Sequence, residues 1–537
     1  MEKRALVAIV LSVIVIFAYD FMFTPTKKAP LDGAVSAVVT SLPQEQPASP
    51  VAEVAAAQPS DTAIAAGQVS DQIEQVVLEN EKLVLTFDTW GARLISAQLK
   101  DYHERKPPQD LIELINALQS TDSSPLALIA DTVNLSRLNY AYQADAAQVV
   151  FTAQIGKLEL RKTFSLGPDS YLVKLDVEWQ NRDVGSHNTP SYRLQWEPSI
   201  ARDKDDKADE VRVVANINNE IRALKQKKIK QILYNQEHEQ LNLAAAEKAQ
   251  WIAISSQYFI ASLITRTEGC FTRVEQIVSE AVAPIVNIAL MVPPGSILQN
   301  NTLKQEFEIY LGPKDIKALE AVGSQMEQNI DFGFFGIFSK FLLVALRYIF
   351  KYVGNYGWSI IILSTLIKVV TYPLAQKSFV SMKRMQKITP LMNEIKEKYK
   401  GNQQQVNQEI MALYKRHKVN PMGGCLPMVI QMPVLFALFN TLRTSIELRG
   451  APFIFWMTDL SQSDPYYILP VLMGLTMFLQ QRMTPVTDPK QAKLMYFMPL
   501  VMTIMFMNLS SGLFIYFIVS NILTVTQQHI INKQNIV

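Results

Sequence analysis

The stretch NYGWSIIILSTLIKVVTYPLA, residues 355–375, governs how the rest of the chain is read. It is apolar along almost its whole length, with one charge, and matches the ~20 residues that an α-helix needs to cross a bilayer core. Its polar residues are patterned. Ser364, Lys368 and Thr371 recur at i, i+4 and i+7 and therefore share one helical face. Two readings of Lys368 stand side by side. It lies about seven residues from the end of the stretch, roughly 10 Å at helical rise, which lets its ammonium snorkel to the headgroups. Alternatively it lines a water-filled pocket within the membrane, where an ionisable side chain marks a functional site.

Working outward, four more apolar stretches follow, at about 424–444, 466–483, 494–509 and 512–530, and another opens the chain at Ala5–Phe23. The opening stretch follows Lys3 and Arg4 and has no Ala-x-Ala site after it, so it reads as an uncleaved anchor rather than a signal peptide. This gives six transmembrane helices. Residues 331–351 carry Phe334, Phe335, Phe338, Phe341, Leu342 and Ala345 on one face and Lys340, Arg347 and Lys351 on a narrower one, with Asp331 placed to cap. That pattern predicts an amphipathic helix lying in the membrane interface, with the start of a spanning helix as the alternative.

Charge sets the orientation. The formal net charge of the 537 residues is only +2, from 51 Lys+Arg against 49 Asp+Glu. It is a cancellation: residues 24–330 net −10, whereas 331–537 net +12. The loop 376–422 alone has ten basic and three acidic residues, and the alternate loops 445–465 and 509–512 show no such excess. Basic loops stay cytoplasmic. The N-terminus and C-terminus are then both cytoplasmic, and the acidic half lies on the far side, which in a bacterium is the periplasm. Residues 24–70, rich in Pro, Ala, Ser and Gln, read as a flexible tether. From 71 to about 311 the pattern is β: Tyr171, Val173, Leu175, Val177 and Trp179 alternate with polar residues, as do Leu303, Phe307, Ile309 and Leu311 with Gln305 as the polar exception. A large antiparallel sandwich is expected there, ending at 330 after a helix over about 314–328.

Composition also excludes chemistry. There is no phosphate loop, no GxGxxG after a strand, no HExxH and no Cys/His ligand spacing, so neither a cofactor, a metal nor a catalytic group is expected. The two cysteines, Cys270 and Cys425, fall in different compartments and cannot pair. No carboxylate sits centrally in the spans after 355, which argues against a proton- or cation-coupled solute transporter. A membrane-anchored periplasmic carbohydrate-binding protein stays open as an alternative, without a motif to support it.

The remaining candidates are polar residues in the other spans, Gln431, Asn440, Ser520, Asn521 and Thr524, which act either as interhelical ties or as a site. Methionines are concentrated here, 16 of 20 after residue 330. Met432, Met498, Met502 and Met505 read either as ordinary packing or as an adaptable apolar slide against varied hydrophobic partners. The basic loop reads as a helical hairpin turning at Gly401-Asn402, with its first arm divided or kinked at Pro390. Its Lys383, Arg384, Lys387, Lys415 and Arg416 are either a solvated face or a docking surface for ribosomal RNA and acidic targeting factors.

At this point the strings Thr371-Tyr372-Pro373-Leu374, Glu409-Ile410-Met411-Ala412-Leu413-Tyr414-Lys415 and Val419-Asn420-Pro421-Met422-Gly423-Gly424-Cys425-Leu426-Pro427 are in view. So are Gln431-Met432-Pro433, Asp464-Pro465-Tyr466-Tyr467-Ile468-Leu469-Pro470, Ser511-Gly512-Leu513 and Val519-Ser520-Asn521. In this order and spacing the chain resembles the YidC family of bacterial membrane protein insertases, most closely over about 330–532. The resemblance implies a polytopic α-helical membrane protein with a five-helix core around a hydrophilic groove, and a large periplasmic β-supersandwich domain. It implies no enzyme activity. It places Lys368 where the family usually has Arg, with Ser364, Gln431 and Asn521 as groove partners, and it puts Phe517 after Tyr516 where the family often has two tyrosines. The implied partners are nascent hydrophobic membrane proteins, the Sec translocon, the ribosome and signal-recognition machinery at the hairpin, and the phospholipid bilayer of the cell inner membrane.

Overall fold

The computed structural model describes residues 73–105, 109–115, 125–196, 200, 211–225, 248–277, 285–417, 419, 426–483 and 489–533. The anchor 1–23, the tether 24–70 and Cys425 lie outside these residues. Cys270 is a buried free thiol.

The acidic half is rich in β-sheet. Nine strands form one antiparallel sheet in the spatial order Glu220–Lys225, Arg212–Ile217, Ala249–Ser255, Phe259–Thr265, Thr302–Pro313, Leu172–Asn181, Leu158–Leu166, Gln148–Ile155 and Ala141–Ala144. Two four-stranded sheets accompany it, one running from Gln75–Glu79 to Leu111–Glu113 and one joining Phe271–Ile277, Ile285–Val292, Tyr192–Trp196 and Leu128–Ala130. They share a single apolar core with the large sheet. The period-2 reading holds at residue level: Val173, Leu175, Val177 and Trp179 are fully buried, and so are Phe307, Ile309 and Leu311 across the same ladder. The polar exception, Gln305, is buried too and accepts a hydrogen bond from the Tyr192 hydroxyl at 2.5 Å.

The expected helix over 314–328 is shorter. Its first part, α1 (Ile316–Val322), is capped by Asp315, whose carboxylate accepts from the Ala318 N–H. It ends at Gly323, where φ reaches 80°, and a 3-10 turn over Met326–Asn329 follows. Positive φ at Gly323, Ser324 and Gln325 is incompatible with a continued helix.

Among the described residues seven more α-helices follow: α2 (Gly336–Val353), α3 (Tyr356–Lys398), α4 (Gln403–Arg416), α5 (Leu426–Thr444), α6 (Ile468–Met483), α7 (Pro489–Phe506) and α8 (Ser511–Lys533). Of these, α3 and the Ser511–Ile531 part of α8 are long and apolar enough to cross a bilayer. The turn from α2 to α3 is local chemistry. Gly354 takes the left-handed conformation that closes α2, and the Asn355 side chain caps α3 by accepting from the Trp358 N–H.

Three expectations change here. Asp331 does not cap α2; its carboxylate accepts from Gly333 N–H and faces Arg212 and Lys225, and the helix starts at Phe335 without a side-chain cap. The apolar stripe of that helix is also divided. Leu342, Leu343 and Leu346 turn inward, while Phe338 and Phe341 point out at 57% and 69% exposure. An apolar helix with protein on one side and lipid on the other can be apolar on both faces, so no single stripe describes it. The third change concerns Pro390. It interrupts no helix: α3 continues unbroken through Pro373 and Pro390, so the spanning segment and the first hairpin arm are one element of 43 residues. The turn itself lies at Gly401-Asn402, and α4 packs back through Leu413 and Tyr414 onto Ile388 and Met392.

Arginines tie the β domain to the helices. Arg347 of α2 reaches both Asp315 at the start of α1 and Glu447 just after α5. Arg105, extending from the strand Arg93–His103, pairs with Asp459 at 3.1 Å and donates to the Ser461 hydroxyl. Arg449 donates back to the His103 carbonyl at 2.8 Å.

Candidate functional site: a polar cavity among the membrane helices

The stripe that opened the sequence reading becomes one wall of a cavity of about 490 Å³ bounded by α3, α5, α6, α7 and α8. Ser364, Lys368 and Thr371 all line it, as helical spacing requires. Gln431 enters from α5 and Asn521 from α8, so the four residues singled out for a groove do converge.

Their roles differ once distances are known. The Lys368 ammonium donates to the Thr524 hydroxyl at 2.9 Å and approaches Gln431 Oε1 at 3.5 Å. Thr524 gives its own proton to the Ser520 carbonyl at 2.7 Å, which leaves its oxygen free to accept. Gln431 Nε2 donates to the Ser520 hydroxyl at 3.2 Å, and this fixes which end of the amide meets Lys368. Asn521 donates to Thr476 and joins α8 to α6. Ser364 is buried, and its hydroxyl is returned to the Ile360 carbonyl of its own helix at 2.6 Å, so it shapes the wall without offering a donor.

Among the described residues of the lining there is no Asp or Glu, and Lys368 is the only charged side chain. A lysine held by neutral acceptors keeps its full charge available to an incoming anion, whereas a paired lysine does not. Snorkelling does not describe this geometry: the ammonium is turned toward α5 and α8 and is bonded there.

The rest of the wall is soft and apolar. Met432 and Met498 belong to it, joined by Met382 and Met477, but Met502 and Met505 do not. They lie four and seven residues further along α7, about 6 and 10 Å beyond Met498, and are not among the lining residues. The hairpin cations also separate. Arg384, Lys387, Lys415 and Arg416 are exposed. Lys383 donates to the Ile531 carbonyl at 3.2 Å, because the unbroken α3 carries it alongside the end of α8. The residue that the sequence reading undervalued is Thr524, the shortest contact of Lys368. Its signal was the i, i+4 relation to Ser520, which puts both on the face carrying Gln527 and Gln528. Among the described residues no cluster of His, Cys, Asp or Glu is placed to hold a metal ion.

Comparison with known proteins agrees over the whole chain. A family described as the 60Kd inner membrane protein matches residues 348–536, and one described as the YidC periplasmic domain matches 75–345. A membrane protein insertase YidC from Geotalea daltonii is 34% identical, over 99% of both chains. Another, from Citrifermentans bemidjiense, is 37% identical over the same shares.

The chain belongs to the YidC family of membrane protein insertases.

Membrane protein insertion is its function, and neither the solute-transporter reading nor the carbohydrate-binding reading finds support. A solved structure of an active YidC insertase covers 86% of this chain and 94% of its own length, at 15% identity and a TM-score of 0.37. Within the YidC family match, the cavity lies wholly in the segment assigned to the 60Kd inner membrane protein, and the β domain in the other.

Proposed function

We propose that this insertase works through the cavity around Lys368. The observation that carries the reading is a single half-buried cation whose partners are a hydroxyl and an amide, in a wall whose described residues include no carboxylate. A short hydrophilic client segment would be solvated there within one leaflet. Its acidic residues would meet Lys368, and its apolar helix would leave over the methionine-rich wall into lipid. Burial of client apolar surface drives the step, at about 25 cal/mol per Å². No nucleotide is needed.

The topology we infer is six spans in the bacterial inner membrane, with both termini cytoplasmic and the β domain periplasmic. It is supported by the excess of basic residues in the loop 376–422. The clients are nascent hydrophobic membrane proteins. The exposed Arg384, Lys387, Lys415 and Arg416 suit an RNA or acidic surface, so the hairpin is the place for the ribosome or signal-recognition machinery. The β domain is the place for contact with a Sec translocon. The reading is tested by reconstituting the purified chain in liposomes with a one- or two-span client bearing an acidic translocated tail. Protease protection of the tail is expected only when the protein is present. Equal protection in empty liposomes removes the proposal.

A further inference from the structure

The loop between α5 and α6 carries an unusual concentration of exposed rings. Phe455 is 87% exposed, Tyr466 66% and Tyr467 46%, and Trp358 in the first turn of α3 stands beside them at 49%. Two of these residues, Phe455 and Tyr467, have φ of 56° and 57°, the left-handed region that bulky side chains avoid. Backbone in this region is strained for a bulky residue and persists only where the surroundings over-determine it.

Here they do. Asp464 is almost completely buried and accepts three hydrogen bonds: from the Trp456 indole at 2.9 Å, from Tyr466 N–H at 3.0 Å and from Leu469 N–H at 2.6 Å. One carboxylate thus fixes the ring next to Phe455, the backbone under Tyr466 and the first turn of α6. On the other side Phe453 N–H donates to the Met457 carbonyl, and Met457 N–H donates to the Ile454 carbonyl, closing a tight turn with Phe455 at its tip. The rings are ordered among themselves: Phe455 stacks on Trp456 at 6.0 Å, Trp456 meets Tyr466 edge-on at 6.4 Å, and Phe453 meets Trp358 edge-on at 5.5 Å. The other charge of residues 453–467, Asp459, pairs with Arg105.

The occupant follows from position. The collar lies at the first turn of two helices, α3 at Trp358 and α6 at Ile468, and α3 is long enough to span. The ends of spanning helices lie at headgroup level, where amphipathic rings such as Trp and Tyr are most stable. We propose that residues 453–467 form a preformed aromatic wedge that seats Phe455, Tyr466 and Tyr467 in the phospholipid interface of the leaflet on the β-domain side. The wedge also sets a depth. Lys368 lies ten positions after Trp358 on the same helix, about 15 Å below the collar, which is half of a ~30 Å core. An anchored collar therefore holds the cavity's cation near mid-membrane.

The test uses the full chain with Cys270 and Cys425 replaced by Ala, reconstituted in phosphatidylcholine–phosphatidylglycerol nanodiscs. Nitroxide labels go at Phe455→Cys, at Tyr466→Cys and, as an aqueous reference, at Val184→Cys, an exposed apolar residue of the β domain. Collisions with oxygen, which concentrates in lipid, are compared with collisions with a water-soluble nickel chelate. The oxygen-to-nickel ratio at 455 and 466 is expected to exceed that at 184 several-fold. A ratio equal to that at 184 overturns the wedge. So does protection from both reagents, which means that protein, such as a second copy of the chain, covers the collar. Tyr466 has ordinary backbone geometry, so its label reports even where the strained Phe455 position does not tolerate substitution.

Discussion

Lys162 in the β domain is fully buried and Lys368 among the membrane helices is half-buried, and the fold treats them in opposite ways. The Lys162 ammonium donates to three backbone carbonyls, those of Gly91, Ala92 and Leu126, and lies over the Phe164 ring. It joins the nine-stranded sheet to the small sheet beside it and has no donor left over. Lys368 meets one hydroxyl closely and one amide loosely, in a cavity lined by soft apolar groups. The first lysine is a structural tie. The second is a charge with two neutral partners and no carboxylate beside it among the described residues of the lining. Burial alone does not mark a functional residue; the number and kind of acceptors around it do.

The sharpest way to break this contrast is to remove the tie. Lys162→Met leaves three carbonyls without a donor in a closed core, and a loss of roughly 3–5 kcal/mol in stability is expected. Thermal unfolding of the full chain followed by tryptophan signals checks it, and insertion per folded molecule is expected to be unchanged. The same residue gives a pH dependence. Burial pushes its ammonium down to about 7, against the opposing field of Asp88. The unfolded chain, with lysine near its ordinary value of about 10.4, then holds more protons between pH 7 and 10. Stability therefore rises with pH across that window, by at most about 1.4 kcal/mol per unit. The gap between wild type and Lys162→Met should widen from pH 7 to 10; a constant gap removes that assignment.

Next in size is the join between the two regions. Arg347→Ala leaves Asp315 and Glu447 without their shared cation, and a cost of about 2–3 kcal/mol is expected for this mostly buried cluster. A double-mutant cycle with Glu447→Gln should recover a substantial coupling energy. Additive losses would mean that the β domain is held by its other arginines alone.

The lysine proposed to meet clients comes third on the energy scale. Lys368→Glu is expected to slow insertion of an acidic-tailed client by about tenfold, or ~1.4 kcal/mol, while a neutral-tailed client changes little. Equal slowing of both would return Lys368 to a packing role. The smallest effect expected is that of Thr524→Val, which removes the close acceptor but keeps the shape. A two- to fivefold slowing, about 0.5–1 kcal/mol, should be confined to acidic-tailed clients, and a Thr524→Ser variant should restore the wild-type rate.

Legibility in the sequence followed the range of the interactions. Ser364, Lys368 and Thr371 were recognisable as one face because helical periodicity is local, and the structure keeps them together. The strand Leu172–Asn181 and the inward set of Thr302–Pro313 were legible for the same reason. Pro390 misled because a proline breaks a helix only where the lost hydrogen bond is not offset, and α4 packs along α3 across that point. Phe338 and Phe341 misled because a periodic stripe says which residues avoid water, not whether protein or lipid replaces it.

By itself, the sequence determined the division into an acidic β half and a basic helical half, the polar face around the one charge of residues 355–375, and the family. Periodicity, composition and local motifs carry all three. The tertiary structure decided which polar residues become partners. Thr524 rather than Ser364 meets Lys368, Lys383 is bound to Ile531, and Lys162 is closed within three carbonyls. Those outcomes depend on acceptors brought from elements far apart in the chain, within a few ångströms and in the right direction. No local pattern encodes such a distance; only the packed fold does.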